Sequence, residues 1–220
     1  MSTALLCLFI VSSVIHLVFS WRDDARGRAY TKPWPLLLLI FYYLASADRI
    51  DILLLLALIT SWLGDVLLIP KGHKWFYIGG ISFTFTHLFF MLEFMNRIRF
   101  GAVNWFILIP VGIVYYAISL LVVHFVKENT PRMLVPPMYV YLICNSTMNI
   151  FALMNLMNMH NVGSIVAYIG ALFFFTSDCI LYLVRYYPRE DLIPKRHFPV
   201  MLLYLSGEFL IIFGLSVLSL

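Results

Sequence analysis

The sequence predicts an all-α fold: a polytopic membrane bundle of eight transmembrane helices forming a single membrane domain, residues 1–220. Composition is the first observation. Hydrophobic residues make up 62% of the chain and charged residues 12%, against about 45–50% and about 25% in soluble domains. Mean hydropathy is +0.92. The second is the recurrence of apolar runs near the ~20 residues that a helix needs to cross the hydrocarbon core. The third is the distribution of basic residues between alternate loops. A chain of this kind could not cover itself with polar surface in water, so a soluble enzyme, a disordered protein and a nucleic-acid-binding domain are all excluded.

The expected spans, in order, are 3–20, 34–47, 52–69, 75–95, 105–126, 137–157, 163–187 and 199–219. No Lys or Arg precedes the apolar stretch of the first, so it reads as a retained helix rather than a secretory signal. The second is the shortest, and tilting Tyr30 to Trp34 into the interface would extend it. Pro110 lies inside the fifth, while Pro33, Pro35, Pro70, Pro131, Pro136, Pro137, Pro188, Pro194 and Pro199 fall at span edges, where a missing N–H costs least. Trp34, Trp75 and Trp105 stand near span ends as interface anchors. Loops 21–33, 70–74, 127–136 and 185–198 carry twelve of the fifteen Lys and Arg, and the intervening loops carry only Arg49, Arg97 and Arg99. By the positive-inside rule the rich loops are cytoplasmic, which puts both termini on the non-cytoplasmic side. Connections of about a dozen residues leave no room for a folded module outside the membrane. Cys7, Cys144 and Cys179 lie in apolar runs without CxxC spacing and read as packing residues.

Polar residues within these spans are the informative ones, because a charge at the bilayer centre costs about 2.5–3.5 kcal/mol on insertion scales. Asp65, Asp178, Glu208, His87 and Asn145 come from five spans, with Ser146 and Asn149 beside Asn145. At 1.5 Å per residue they lie about 6–18 Å from the cytoplasmic ends of their spans, which places them in one layer able to line a common cavity. Each also has a purely structural reading: a buried pair sharing a proton, a hydrogen-bonded packing histidine, or a polar lock between helices. His16, His87 and His124 as a zinc site have no spacing motif behind them, and GxSxG, P-loop, GxGxxG and HExxH motifs are missing. Carboxylates with a histidine at membrane depth suit acid–base chemistry on a lipid.

Four local patterns now carry a resemblance. Lys32-Pro33 precedes an apolar run. Ser61, Gly64 and Asp65 form S-x-x-G-D. Gly79, Phe83 and His87 form G-x-x-x-F-x-x-x-H. Gly170, Ala171, Phe174, Ser177 and Asp178 form G-A-x-x-F-x-x-S-D. In this order, over most of residues 31–187, they resemble the YhhN family, which contains the lysoplasmalogenases. One departure stands out: the family often shows Tyr-x-x-x-Gln in the last helix, and here Tyr204 is followed by Glu208.

The resemblance implies a membrane hydrolase that cleaves the vinyl-ether bond of lysoplasmalogen. The products are a fatty aldehyde and glycerophosphoethanolamine or glycerophosphocholine. No cofactor and no metal is expected, and the partners are the lysophospholipid substrate and membrane lipids. Vinyl-ether hydrolysis needs an acid to protonate the distal alkene carbon, an anion to stabilise the oxocarbenium ion, and a base for the attacking water. Asp65 and Asp178 are the expected catalytic pair, one donating while the other stays ionised, as in the two-acid solution of glycosidases. His87 relays the proton or orients water. Ser61 and Ser177 are expected to hold the carboxylates, Lys32 to bind the lipid phosphate at the cytoplasmic mouth, and Asn145, Tyr204 and Glu208 to support the cavity. The alternatives are a proton-coupled transporter and a metal-dependent membrane amidase.

Overall fold

In the computed structural model, which describes residues 2–189 and 193–218, the chain is all-helical. Its elements are α1 (Ser2–Trp21), α2 (Ala25–Thr31), α3 (Pro33–Ser46), α4 (Ile52–Leu67), α5 (His73–Asn96), α6 (Trp105–Val126), α7 (Val135–Met159), α8 (Val162–Tyr186) and α9 (His197–Ser216). Each of the eight expected apolar runs falls on one helix, with its ends within three residues. Ser219, the last residue of the expected eighth run, lies outside the described residues, as do 190–192 in the loop before α9.

α2 is the element that the apolar periodicity did not reveal, since its residues are short, polar and charged. Asp24 starts it by accepting hydrogen bonds from the backbone N–H of Arg26 and Gly27, 3.0 and 3.1 Å. Lys32 follows in right-handed helical geometry, and Pro33 then opens α3, where its fixed φ suits a first turn. That junction aims Lys32 at the bundle interior. α1, α5, α6, α7, α8 and α9 are long and apolar enough to cross a membrane. α3 has 14 residues and α4 has 16, about 21 and 24 Å at 1.5 Å per residue. Both fall short of a hydrocarbon core of ~30 Å. Large apolar side chains such as Val11, Phe106, Ile113 and Val140 are exposed around the outside, a surface that lipid rather than water would cover.

The helices approach closely where glycines allow it. α8 packs most extensively on α9. A Cβ on Gly170 would come 2.7 Å from the Gly207 carbonyl oxygen, and one on Gly207 would come 2.8 Å from the Gly170 oxygen. Backbone thus meets backbone, as small-residue seams permit in membranes. α4 meets α5 through a side chain instead: a Cβ on Gly64 would come 2.6 Å from the Phe83 ring. The four basic loops gather at one end of the bundle. Trp21 packs on Phe198, Phe125 on Tyr187, and the Arg185 guanidinium lies 3.9 Å over the Phe76 ring.

Candidate active site

Helical spacing brings the polar residues inward. Ser61 and Asp65 are four apart on α4, Tyr204 and Glu208 on α9, Asn145 and Asn149 on α7, Phe83 and His87 on α5, and Phe174 and Asp178 on α8. Residues four apart share a helix face, and all ten of these side chains are buried.

They form two linked clusters. In the first, the Lys32 ammonium lies 3.3 Å from Asp65 Oδ1, and the Tyr204 hydroxyl donates to Asp65 Oδ2 at 3.0 Å. Tyr204 is 2.9 Å from Ser61 Oγ, which in turn donates to Glu208 Oε1. Each hydroxyl carries one proton. With Tyr204 donating to Asp65 and Ser61 to Glu208, the Tyr204–Ser61 contact has no proton of its own. One more proton, on either terminal carboxyl, completes the array. With that proton on Glu208, the end away from the Lys32 ammonium, the bonds of Ser61 turn round: Glu208 donates to Ser61, Ser61 to Tyr204 and Tyr204 to Asp65.

In the second cluster, Asn145 donates to Asp178 Oδ2 at 2.7 Å and Asn149 donates to Asn145 Oδ1 at 3.0 Å. His87 Nε2 lies 3.2 Å from the same Asp178 oxygen, close but off the axis of a hydrogen bond. Both His87 ring nitrogens, Glu208 Oε2 and Asn149 Oδ1 are buried without a hydrogen-bond partner, a costly state for a polar atom in protein. The Phe174 ring separates the clusters, 4.7 Å from the His87 ring and 5.5 Å from Tyr204. Glu208 is near enough to both Asp65 and Asp178 for each charge to act on it.

The structure therefore brings together Lys32, Ser61, Asp65, Tyr204 and Glu208 in one cluster and His87, Asn145 and Asp178 in the other, with some reassignment of contacts. Ser61 reaches Glu208 and Tyr204 rather than its neighbour Asp65. Ser177 donates across to the Val200 carbonyl oxygen, 2.8 Å, because consecutive residues on a helix point about 100° apart; it ties α8 to α9. Lys32, expected at a lipid phosphate, has its ammonium on Asp65. His16 bonds Thr31 Oγ1 at 2.8 Å and His124 faces Phe125, so neither is with His87.

Hydrogen bonds and the Phe174 ring occupy the space between the two clusters of the polar layer. The neighbouring cavity is an apolar groove of about 390 Å³ between α5, α7 and α8. Tyr141 and Tyr182 form its inner wall. Behind that wall the Tyr141 ring lies 5.1 Å from His87, and both tyrosines are within electrostatic reach of Asp178. No sequence pattern distinguishes Tyr141 from the other aromatics of these spans.

This combination defines a class: integral membrane proteins whose helices hold carboxylic acids and a histidine out of lipid, beside a groove suited to an apolar chain. Within that class the chain belongs to the YhhN family, whose family model matches residues 27–215. Comparison with curated proteins and with solved structures returns no significant match. The motif glycines have local reasons to be glycine, since Gly64 admits the Phe83 ring and Gly170 admits the α9 backbone. Both contacts set the depth at which Asp65 and Asp178 enter the core.

Proposed function

We propose that this chain is a membrane lysoplasmalogenase, an ether hydrolase that releases a fatty aldehyde from the vinyl-ether chain of a lysophospholipid by acid–base catalysis. The observation that carries the reading is three buried carboxyl groups with a single ammonium directly paired among them, set beside a histidine and next to an apolar groove. An ion-pair role needs acids matched to cations. Acids in excess of cations suit proton transfer.

In this mechanism the Asp178–His87 pair, behind the Tyr141 and Tyr182 wall of the groove, is the acid side, and the proton it supplies passes that wall to reach the distal alkene carbon. The resulting oxocarbenium ion is stabilised by carboxylate charge. Water attacks the carbon bonded to oxygen, and its proton passes to the base side, where Asp65, Tyr204, Ser61 and Glu208 hold and share it. The hemiacetal hydroxyl proton then moves to the glycerol oxygen as the C–O bond breaks, leaving aldehyde and glycerophosphoester. Overall one water is consumed, and the proton taken from it replaces the one donated. The unpartnered nitrogens of His87 and oxygen of Glu208 support this reading, since they retain hydrogen-bonding capacity for water and substrate.

The topology we propose has α3 and α4 crossing the membrane together with the six longer helices, with both termini on the non-cytoplasmic side and the chain as one domain. Basic loops 21–33 and 70–74 share a side when α3 and α4 act together, both crossing or neither, and the apolar run of each favours crossing. The helical backbone through α2 and Lys32 supports the longer reach that α3 needs.

The test is purified protein in detergent with alkenyl, acyl and alkyl lysophospholipids, followed by aldehyde detection. Release from the alkenyl lipid alone, insensitive to chelators and lost in Asp65→Asn and Asp178→Asn, is the expected result. Retained release in both variants rejects the pair, and movement of intact lipid across liposomes without aldehyde would favour a carrier.

A further inference from the structure

We infer that the groove between α5, α7 and α8 seats the hydrocarbon chain of a lysophospholipid, and that Lys71 and Arg185 at its mouth hold the phosphate of the same molecule. This assignment rests on the lysolipid reading above and supplies the binding site which that reading lacks. The groove is lined by Phe76, Gly80, Thr84, Leu134, Tyr141 and Tyr182, mostly apolar and aromatic surface of the kind that accepts an aliphatic chain. A second, smaller cavity of about 140 Å³ adjoins it at the basic end, lined by Leu68, Lys71, Gly72, Phe76 and Arg185. Phe76 belongs to both, and the Arg185 guanidinium is seated 3.9 Å over its ring. That stacking holds the planar donor fork at the junction between the apolar and basic compartments.

Neither Lys71 nor Arg185 has a carboxylate partner among the described residues; the hydrogen bond of Arg185 runs to the Tyr186 hydroxyl, 3.2 Å. Lys32, by contrast, is committed to Asp65 at 3.3 Å. The two cations at the groove mouth are therefore the ones placed to receive a phosphate.

Spacing agrees with the chemistry. Arg185 and Asp178 lie seven residues apart on α8, two turns on one face, about 10 Å along the axis. In a lysoplasmalogen the distal alkene carbon is seven bonds from phosphorus, about 8–9 Å when extended at backbone-like bond lengths. A phosphate at Arg185 thus brings the reactive double bond level with Asp178, while the rest of the chain continues down the groove past Gly80 and Thr84.

The test uses the full chain in detergent and a saturated alkyl-ether lysophosphocholine, which has no vinyl ether to hydrolyse. The matching alkylglycerol, which lacks phosphate, is the second probe. Affinity is read from the concentration dependence of thermal stabilisation. A Lys71→Ala/Arg185→Ala double variant should weaken phospholipid binding at least tenfold and leave alkylglycerol binding within twofold. Gly80→Leu should fold, because a Cβ there meets nothing within 4 Å, and by filling the groove it should weaken both ligands at least tenfold. Unchanged phospholipid affinity in either variant overturns the assignment, as does equal loss of both ligands in the double variant. The expected binding pattern without aldehyde release from the alkenyl lipid would reject the hydrolase and leave the lipid site standing. Aldehyde release without that pattern would do the reverse.

Discussion

At the end of the bundle away from the basic loops, Glu93 is buried against Arg97, whose Nε donates to Glu93 Oε1 at 2.6 Å. Arg97 also donates to the Leu215 carbonyl oxygen at 3.1 Å. Asp51 lies beside Glu93 and caps α4 by accepting from the Leu53 N–H at 2.8 Å, while its own N–H donates to the Tyr43 hydroxyl at 2.7 Å. This cluster ties α3, α4, α5 and α9 together and gives each of its two acids a donor, Arg97 for Glu93 and the first N–H groups of α4 for Asp51. The Asp65–Glu208–Asp178 layer is built differently. It places three acids on one ammonium and one histidine, and leaves polar atoms at Glu208 and His87 unpartnered. Burial alone therefore does not distinguish a functional acid from a structural one here, since Glu93 and Asp65 are 2% and 1% exposed. The balance of charge and donors around each acid does.

Removing the Asp178 carboxyl sharpens this contrast most. Asp178→Asn should lower aldehyde release by roughly 100- to 10,000-fold, the range for loss of a general acid, while folded yield and unfolding temperature stay near wild type. A large loss of stability with unchanged specific activity would place Asp178 with Glu93 instead. Arg97→Ala should do the opposite. Stranding a buried Glu93 should destabilise the fold by about 3–5 kcal/mol, seen as a lower unfolding temperature in detergent, with activity per folded molecule retained. Ser61→Ala breaks the chain of contacts between Asp65 and Glu208. It should lower turnover about tenfold, roughly 1.4 kcal/mol, and a loss as large as that of Asp178→Asn would mean that the serine does more than relay. Glu208→Gln keeps a hydrogen-bonding partner for Ser61, since its amide can donate or accept. It should leave turnover within about threefold and remove one ionisation from the pH profile of kcat/KM. An unaltered profile would show that Glu208 takes no part in proton transfer.

Much of this was legible in the chain. The eight long apolar runs came out as helices, six of them long and apolar enough to cross a membrane, and their ends agree to within three residues because Pro, Asp and Gly punctuate them. Asp65, Asp178, His87, Asn145 and Glu208 were visible as polar residues that lipid would exclude. Glu93 was equally visible four residues before Arg97, yet such spacing reads as an ordinary helical ion pair, and nothing local says that Asp51 and Leu215 complete it. α2 escaped because seven mostly polar residues carry no periodic apolar signal.

What the sequence settled by itself is that this chain is an integral membrane protein with acids at membrane depth, because composition and periodicity alone measure the cost of leaving water. Which residues those acids meet was decided only by the packing of α4, α5, α7, α8 and α9. Glycine contacts set the helix separations and rotations, and from them follow the pairing of Lys32 with Asp65, the turn of Ser61 toward Glu208, and the tyrosine wall between Asp178 and the groove. Partners such as Ser61 and Glu208 lie 147 positions apart in the chain, and no local pattern can encode a contact that depends on how two helices are rotated against each other.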